Sequence, residues 1–352
     1  MDRRNFILKS TMGAMALSIP RVPKMFKEVP MGIVVYSFSR RFNPKIESEK
    51  YQGFSDAIDL LEHCHNLGAG GIQTGMKDWT RDFARKFRAR KEKLGMYFEG
   101  SIGLPENSAE VNKFEQEILL AREAGAEVVR TVCLGGRRYE TFQSEQAFLE
   151  FKKKSVDSLQ LAEPVVRKHK IKLAVENHKD WRSRELVNIL QQLDSEWMGA
   201  TLDFGNNIAM MEDPMQVVEN LAPYIFSTHI KDMAVEEYQD GFLLSEVALG
   251  KGILDLPKIV SICKKHNPGV TFNLEMITRD PLEIPCLKKE YWATFKEIPA
   301  SDLAATLRMV RQHKHETALP KYSPLSPEEQ LKKEEQNVIT SLEYSKSKLG
   351  LA

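Results

Sequence analysis

The sequence has little of several features that mark large classes of protein. Its four cysteines form no Cys-x-x-Cys pair, and we interpret them as buried small hydrophobic residues rather than a disulfide framework. Net charge is nearly absent, because 50 Lys and Arg stand against 49 Asp and Glu, a formal charge of +1. Such a balance gives no general attraction to nucleic acid or to an anionic membrane. These shortages favour a small neutral or weakly charged ligand.

What the sequence does have is a regular alternation of apolar runs and amphipathic stretches. The 352 residues are 42% hydrophobic and 28% charged, which suits one large α/β domain or two smaller ones. Eight predicted strands lie at residues 31–38, 71–74, 95–100, 127–134, 172–176, 199–203, 225–230 and 270–275. A helix follows each strand but the last, at residues 54–67, 78–94, 112–124, 155–169, 184–193, 213–221 and 255–265. This rhythm predicts an α/β fold, a (β/α)8 TIM barrel. A doubly wound open sheet is the alternative, but no Gly-x-Gly-x-x-Gly follows the first strand.

We place the barrel domain at residues 29–318, and the sequence predicts further elements in its last part and beyond it. Residues 280–295 are expected to form a long ordered loop over the barrel mouth, and residues 301–314 the eighth barrel helix. Residues 319–352 are predicted as a C-terminal helical extension. Its charged helix at 327–349 carries apolar Leu331, Val338 and Leu342, a stripe that would pack on the barrel or on a partner subunit. A homo-oligomer is therefore left open.

The N-terminal residues have the layout of an export signal. Arg3 and Arg4, then Phe6 and Lys9, precede a short apolar stretch that is too short to span a bilayer as a mature helix. This pattern resembles a twin-arginine signal, whose pathway moves folded proteins. Residues 1–28 are thus predicted to be a signal and leader, with a periplasmic mature protein that has no membrane segment. The alternative is a disordered basic terminus on a cytoplasmic protein.

Four polar residues each close a short apolar run, at Glu176, Asp203, His229 and Glu275. Such a run predicts a buried strand with one polar side chain at its carboxyl end. The active sites of TIM barrels lie at these strand ends. Alone, a histidine can be a core residue and a carboxylate a helix cap. Together, three carboxylates would repel one another without a cation. The set of oxygen and nitrogen ligands predicts one divalent metal ion, Mn²⁺, Mg²⁺ or Co²⁺, with Zn²⁺ left open.

A resemblance to a known family is carried by five motifs, namely Leu-Ala-Val-Glu176-Asn-His178, Leu-Asp203-Phe-Gly-Asn206, Thr-His229-Ile-Lys231-Asp232, Leu-Gly250-Lys-Gly252-Ile-Leu-Asp255 and Asn-Leu-Glu275. From about residue 32 to 276 the chain resembles the xylose isomerase-like TIM-barrel superfamily, and within it the sugar phosphate isomerase/epimerase group. The resemblance implies that the quartet binds one metal. It also implies that Glu176 and Glu275 are catalytic and exchange protons with the two faces of the substrate.

The expected activity is that of a metal-dependent sugar or cyclitol isomerase or epimerase, working by proton transfer next to a carbonyl through a metal-stabilised enediolate. A sugar or inosose dehydratase or lyase on the same scaffold, and a non-catalytic carbohydrate-binding barrel, are the alternatives. Ketose 3-epimerases carry a histidine where Asn206 stands, which argues against that activity. The residues predicted to bind substrate are His178, Asn206, Lys231 and Arg279. Lys231 has a second interpretation, as a rim lysine paired with Asp232 or Glu275.

Overall fold

The structure, a computed structural model, describes residues 30–42, 48–313 and 318–351. The strands within them are β1 (Gly32–Val34), β2 (Gly71–Gly75), β3 (Tyr97–Ser101), β4 (Val128–Thr131), β5 (Lys172–Glu176), β6 (Met198–Asp203), β7 (Ile225–Ile230), β8 (Asp232–Tyr238), β9 (Gly241–Val247), β10 (Thr271–Leu274) and β11 (Leu282–Ile284). The helices within them are α1 (Ala57–Asn66), α2 (Arg81–Leu94), α3 (Val111–Glu123), α4 (Arg138–Thr141), α5 (Glu145–His169), α6 (Ser183–Leu193), α7 (Pro214–Leu221), α8 (Leu256–His266), α9 (Ala300–Gln312) and α10 (Pro327–Tyr344). None of the described helices is both long and apolar enough to span a bilayer. The predicted export signal at residues 1–28 lies outside the described residues and stays a prediction.

Eight of the strands close into a barrel, which confirms the predicted (β/α)8 fold. All neighbouring pairs run parallel, in the order β1-β10-β7-β6-β5-β4-β3-β2. Helices cover the outer face of such a strand, so its sequence is nearly continuous in apolar residues. The register places both Asp203 and Asn273 opposite His229. The ends of β6, β7 and β10 therefore meet at one mouth of the barrel.

Apolar side chains on the outer face hold the strands that end at this mouth. Val175, Leu202, Ile230 and Leu274 are fully buried in the core between the barrel and its helices, as predicted. Each such side chain contributes roughly 1.5–3 kcal/mol relative to an exposed position. Since side chains alternate along a strand, the residues next to these four face the barrel interior. Outer-face packing thus fixes which polar groups point inward.

The chain between β7 and α8 forms a β-hairpin that the sequence analysis did not predict. β8 and β9 pair antiparallel, and β11 adds to the other edge of β9. The turn ends at Gly241, whose φ of 151° suits a residue without a Cβ. Residues 280–295, predicted as a loop, contain β11 and a 3-10 turn at Lys289–Thr294. A second small sheet thus stands beside the barrel.

The two C-terminal helices, α9 and α10, pack on different surfaces, and only α10 lies on the barrel. α9, predicted as the eighth barrel helix, packs instead against β8 and β9, and its Leu307 and Val310 belong to that sheet's own apolar cluster. The prediction for α9 is wrong, because an apolar stripe does not say which surface it covers. α10 packs on the barrel, where Val338 and Leu342 are buried in the main core. The amide of Met31 donates to the carbonyl of Leu351, 3.3 Å away, just past α10.

Two element boundaries also differ from the prediction for local reasons. α5 begins ten residues before the predicted start at 155, because Ser144 accepts a hydrogen bond from the amide of Ala147 (3.2 Å) and caps the helix there. Three consecutive lysines at 152–154 interrupt the apolar stripe and hide this first part of the helix. The first strand ends at Val34, and the rest of the predicted strand forms a 3-10 turn, Val35–Phe38.

Candidate metal centre

Four strand ends bring Glu176, Asp203, His229 and Glu275 together at the mouth of the barrel. Each offers a ligand atom, and these atoms all lie within 4.8 Å of one another. The arrangement follows from the strand order, since β5, β6, β7 and β10 are consecutive neighbours around the barrel. All four residues are at most 4% exposed. The quartet predicted from the sequence is therefore one buried cluster.

The hydrogen bonding of His229 shows that the cluster suits a cation. Its Nε2 lies 2.7 Å from Oε1 of Gln73, which can only accept, because the Gln73 amide group donates to Glu99 (2.9 Å). Nε2 therefore carries the proton, and this leaves the lone pair of Nδ1 free to bind a metal ion. Within the part of the chain that the structure describes, Nδ1 is buried without a hydrogen-bond partner, 3.4 Å from a carboxylate oxygen of Glu176 and 3.5 Å from one of Glu275.

The carboxylates around His229 favour a positive charge at the centre of the quartet. Burial alone would lower the pKa of His229, but the carboxylates of Glu176 and Glu275 raise it. Burial likewise raises the pKa of Asp203, and the neighbouring carboxylates of Glu275 and Glu176 raise it further, against the opposing charge of Lys231. A cation at the centre of the quartet would satisfy these groups together. Three carboxylates and one imidazole fit a divalent ion of the hard to borderline kind.

Behind the quartet lies a polar layer that the sequence analysis missed. Gln73 on β2 and Glu99 on β3 face the barrel interior, and both are buried. Glu99 also accepts hydrogen bonds from Ser227 (2.6 Å) and Asn273 (3.2 Å). This layer fixes the Gln73 amide and, through it, the ring of His229. A charged residue inside the otherwise apolar run Tyr97-Phe98-Glu99 was the signal available in the sequence.

Replacing Gln73 with leucine is expected to lower the affinity for a divalent cation by about 10- to 100-fold, because His229 loses the partner that fixes its tautomer. Calorimetric titration of the chelator-treated protein with Mn²⁺ would measure this. A matched control is Gln191→Leu, on the exposed face of α6. Wild-type affinity in the Gln73→Leu protein would show that the Gln73–His229 hydrogen bond does not set the ligand atom.

Two buried cations, one on β4 and one directly after β7, contact the quartet. Arg130, which the sequence analysis missed, donates from Nε to Glu176 (2.6 Å). Lys231 lies with its Nζ 2.7 Å from Oδ2 of Asp203 and also contacts Glu275. Lys231 is thus in the site, and its predicted pairing with Glu275 is present.

The alternative pairing of Lys231 with Asp232 is wrong. The Asp232 carboxylate instead accepts hydrogen bonds from the amides of Gly250 (2.9 Å), Gly252 (2.9 Å) and Leu254 (3.2 Å). These bonds hold the loop between β9 and α8 against the barrel mouth. The carboxylate of Asp232 therefore binds backbone amides rather than Lys231.

These cations set the ionisation of the two glutamates that were predicted to be catalytic. Burial alone would raise the pKa of Glu176, but Arg130 and His229 hold it well below its ordinary value. Against the same effect of burial, Lys231 and His229 lower the pKa of Glu275 to about 2. Both glutamates are therefore carboxylates at neutral pH, ready to bind a cation.

The remaining predicted site residues lie around the quartet. Asn206 donates from Nδ2 to Glu176 (3.2 Å) and from its backbone amide to Asp203 (2.8 Å), so it is part of the centre. His178 is half-buried at the rim, and its Nδ1 lies 3.0 Å from the Leu134 carbonyl. Burial lowers the pKa of His178 to about 4, so it is neutral at pH 7.

Arg279 lies at the rim as well, outside the quartet. It donates from Nε to Glu246 on β9 (3.1 Å), so the unpredicted hairpin supplies its partner. Glu246 is buried, and burial would raise its pKa, but Arg279 and Lys231 lower it. Arg279 therefore reaches the mouth as one half of an ion pair rather than as an isolated cation.

Comparison with known proteins gives a matching family model and a named relative. A family model described as "Xylose isomerase-like TIM barrel" matches residues 61–294. Over 232 residues, 64% of this chain and 77% of the relative, the sequence is 28% identical to the 3-oxo-isoapionate decarboxylase of Pectobacterium atrosepticum.

Solved structures share the fold at lower identity. A xylose isomerase-like TIM barrel protein from Mycobacterium smegmatis, in complex with magnesium, superposes with a TM-score of 0.55 at 15% identity, covering 79% of this chain and 98% of that one. D-psicose 3-epimerase from Clostridium cellulolyticum H10, with D-tagatose, gives a TM-score of 0.55 at 11% identity, covering 81% and 99%. At these identities the likeness is one of fold.

Proposed function

The chain belongs to the xylose isomerase-like TIM-barrel family, and from this premise we propose that it is a divalent-metal-dependent enzyme that moves a proton next to a carbonyl group of a small sugar or cyclitol. The observation that carries the proposal is the unpartnered Nδ1 of His229 amid three buried carboxylates. Glu176, Asp203, His229 and Glu275 would hold the cation, which when bound supplies Lewis-acid polarisation of the carbonyl oxygen.

The positions of the two glutamates support isomerase or epimerase chemistry. Glu176 ends β5 and Glu275 follows β10, with β6 and β7 between them around the barrel. The two carboxylates therefore approach the centre from different sides. One can take a proton from the carbon next to the carbonyl while the other returns a proton to the opposite face. Arg130 and Lys231 hold the two carboxylates in place for this transfer.

A decarboxylase is the second candidate, and the same ion pairs favour it. Arg130 and Lys231 stabilise the ionised forms of Glu176 and Glu275 and so weaken them as bases. Loss of CO₂ from a 3-oxo acid removes no proton from carbon: the C–C bond breaks and its electron pair forms an enolate, whose oxygen charge must be stabilised until the carbon takes up a proton. The 28% identical relative carries the name of such a decarboxylase.

One experiment distinguishes the two candidates. The protein is dialysed against a chelator, reloaded with Mn²⁺, Mg²⁺ or Co²⁺, and incubated in D₂O with a panel of ketoses, inososes and 3-oxo sugar acids. Deuterium at the carbon next to the carbonyl, with all carbons retained, supports proton transfer, and CO₂ release supports decarboxylation. Turnover that survives complete removal of metal contradicts both. Sugar binding with no product from any compound supports the non-catalytic carbohydrate-binding alternative.

A further inference from the structure

Lys179 lies at the mouth of the barrel in an unusual state. It follows Glu176 by three residues, in the loop between β5 and α6, and is 5% exposed. Its φ of 64° places it in the left-handed region, which a non-glycine residue adopts at a cost. Its carbonyl accepts a hydrogen bond from the amide of Arg138 (2.9 Å), so the loop is held in this conformation. The buried side chain of Lys179 reaches Asn206, which contacts Glu176 and Asp203 of the quartet.

The ammonium group of Lys179 has no acidic partner among the described residues. The other cations at the mouth, Arg130, Lys231 and Arg279, each pair with a carboxylate. Within the described part of the chain, the Nζ of Lys179 hydrogen-bonds only to the side-chain oxygen of Asn206. Burying an unpaired charge is costly. Consistent with this, burial and the nearby charge of Lys231 lower the pKa of Lys179 to about 8.

A second buried donor lies on the neighbouring helix α4. Tyr139 is 5% exposed, and its hydroxyl is buried without a hydrogen-bond partner in the structure. Tyr139 follows Arg138, whose amide donates to the carbonyl of Lys179, so α4 and the loop that carries Lys179 are in direct contact. A buried ammonium without a carboxylate partner and a buried hydroxyl without an acceptor thus lie on two contacting segments of the described chain.

We propose that Lys179, assisted by Tyr139, binds an anionic group of the substrate, so that the substrate is a sugar acid or sugar phosphate rather than a neutral sugar. An anionic oxygen would accept from both donors and neutralise the ammonium of Lys179, which has no carboxylate partner among the described residues. A neutral hydroxyl would leave that charge uncompensated. The inference rests on the proposed function in one respect, that the anion belongs to the same carbonyl compound which the metal centre receives.

The test compares three ligands of the same carbon chain, D-gluconate, D-glucitol 6-phosphate and D-glucitol, by calorimetric titration of the full-length protein loaded with Mg²⁺. At least one anion is expected to bind about tenfold or more tightly than D-glucitol, as for a hydrogen bond to a charged group. Lys179→Met should remove this advantage and Lys179→Arg should keep most of it. Lys170→Met is the matched control, because Lys170 also has a left-handed φ (51°) but is exposed at the end of α5.

The identity of the tighter anion distinguishes a sugar acid from a sugar phosphate. Equal affinity of the wild-type protein for the anions and for D-glucitol overturns the proposal, even if Lys179→Met fails to fold. An anion preference that persists in Lys179→Met overturns it too. Because binding is measured without turnover, a protein that prefers anions but never exchanges deuterium or releases CO₂ contradicts the proposed function alone.

Discussion

Replacing Glu176 with glutamine is expected to lower turnover by about 10²- to 10⁴-fold, the usual contribution of a positioned acid or base. The amide is similar in size to the carboxylate and keeps one oxygen for the cation, but it cannot accept a proton from carbon. Arg130 would also lose its charged partner. Steady-state kinetics would give the loss of kcat, and calorimetric titration with Mn²⁺ should show that metal binding is weakened but retained.

Glu196→Gln is the control for this substitution, because Glu196 is exposed and precedes β6 at the opposite end of the barrel. It should retain wild-type kinetics. Solvent deuterium incorporation adds a second measurement, since exchange at carbon should fall together with kcat in Glu176→Gln. Wild-type turnover in Glu176→Gln would contradict a proton-transfer role for this residue and leave it as a metal ligand only.

The barrel could be predicted because its strands and helices have local signatures. Residues 172–176 and 225–230 were assigned as strands with the bounds that the structure gives β5 and β7. Strands covered by helices are apolar over their whole length and end abruptly at a polar residue. The prediction failed at residues 35–38. They continue the apolar run of the first strand, but they form a 3-10 turn.

The hairpin β8–β9 was missed for a different reason. Gln239-Asp240-Gly241 between two strand-like runs is a hairpin signal, but the alternation of strand and helix gave no place for it. Because the hairpin was not predicted, the barrel was the only predicted surface that the apolar stripe of α9 could cover. The prediction for α9 was wrong for this reason. The pairing of a helix with a surface is a long-range property, and a single sequence does not encode it locally.

The residues of the candidate site were likewise predicted only in part. The quartet was visible because each member ends an apolar run. Arg130, Gln73 and Lys179 were not, since their roles depend on partners on other strands and loops. Arg130 in Val128-Val129-Arg130 and Glu99 in β3 are charged residues on the inward face of apolar strands, a pattern that marks a polar barrel interior. Period-2 alternation gives the face of a side chain but not its partner.

Replacing Lys231 with methionine is expected to destabilise the metal-free protein by about 3 to 5 kcal/mol, the cost of removing one partner from a buried ion pair. Lys231 neutralises Asp203 and Glu275, and its own pKa is raised by their charges even though burial opposes this. Without it, three carboxylates repel one another in a buried site. Denaturant unfolding in the presence of a chelator would measure the loss.

The same substitution should tighten the binding of a divalent cation, because lysine and metal neutralise the same carboxylates. A cation that binds only the folded state stabilises it according to its affinity, so saturating Mn²⁺ should restore more stability to Lys231→Met than it adds to wild type. Lys258→Met, on the exposed face of α8, should change neither quantity. If Lys231→Met were as stable as wild type in chelator and bound Mn²⁺ no more tightly, the lysine would not be the group that balances the quartet when metal is absent.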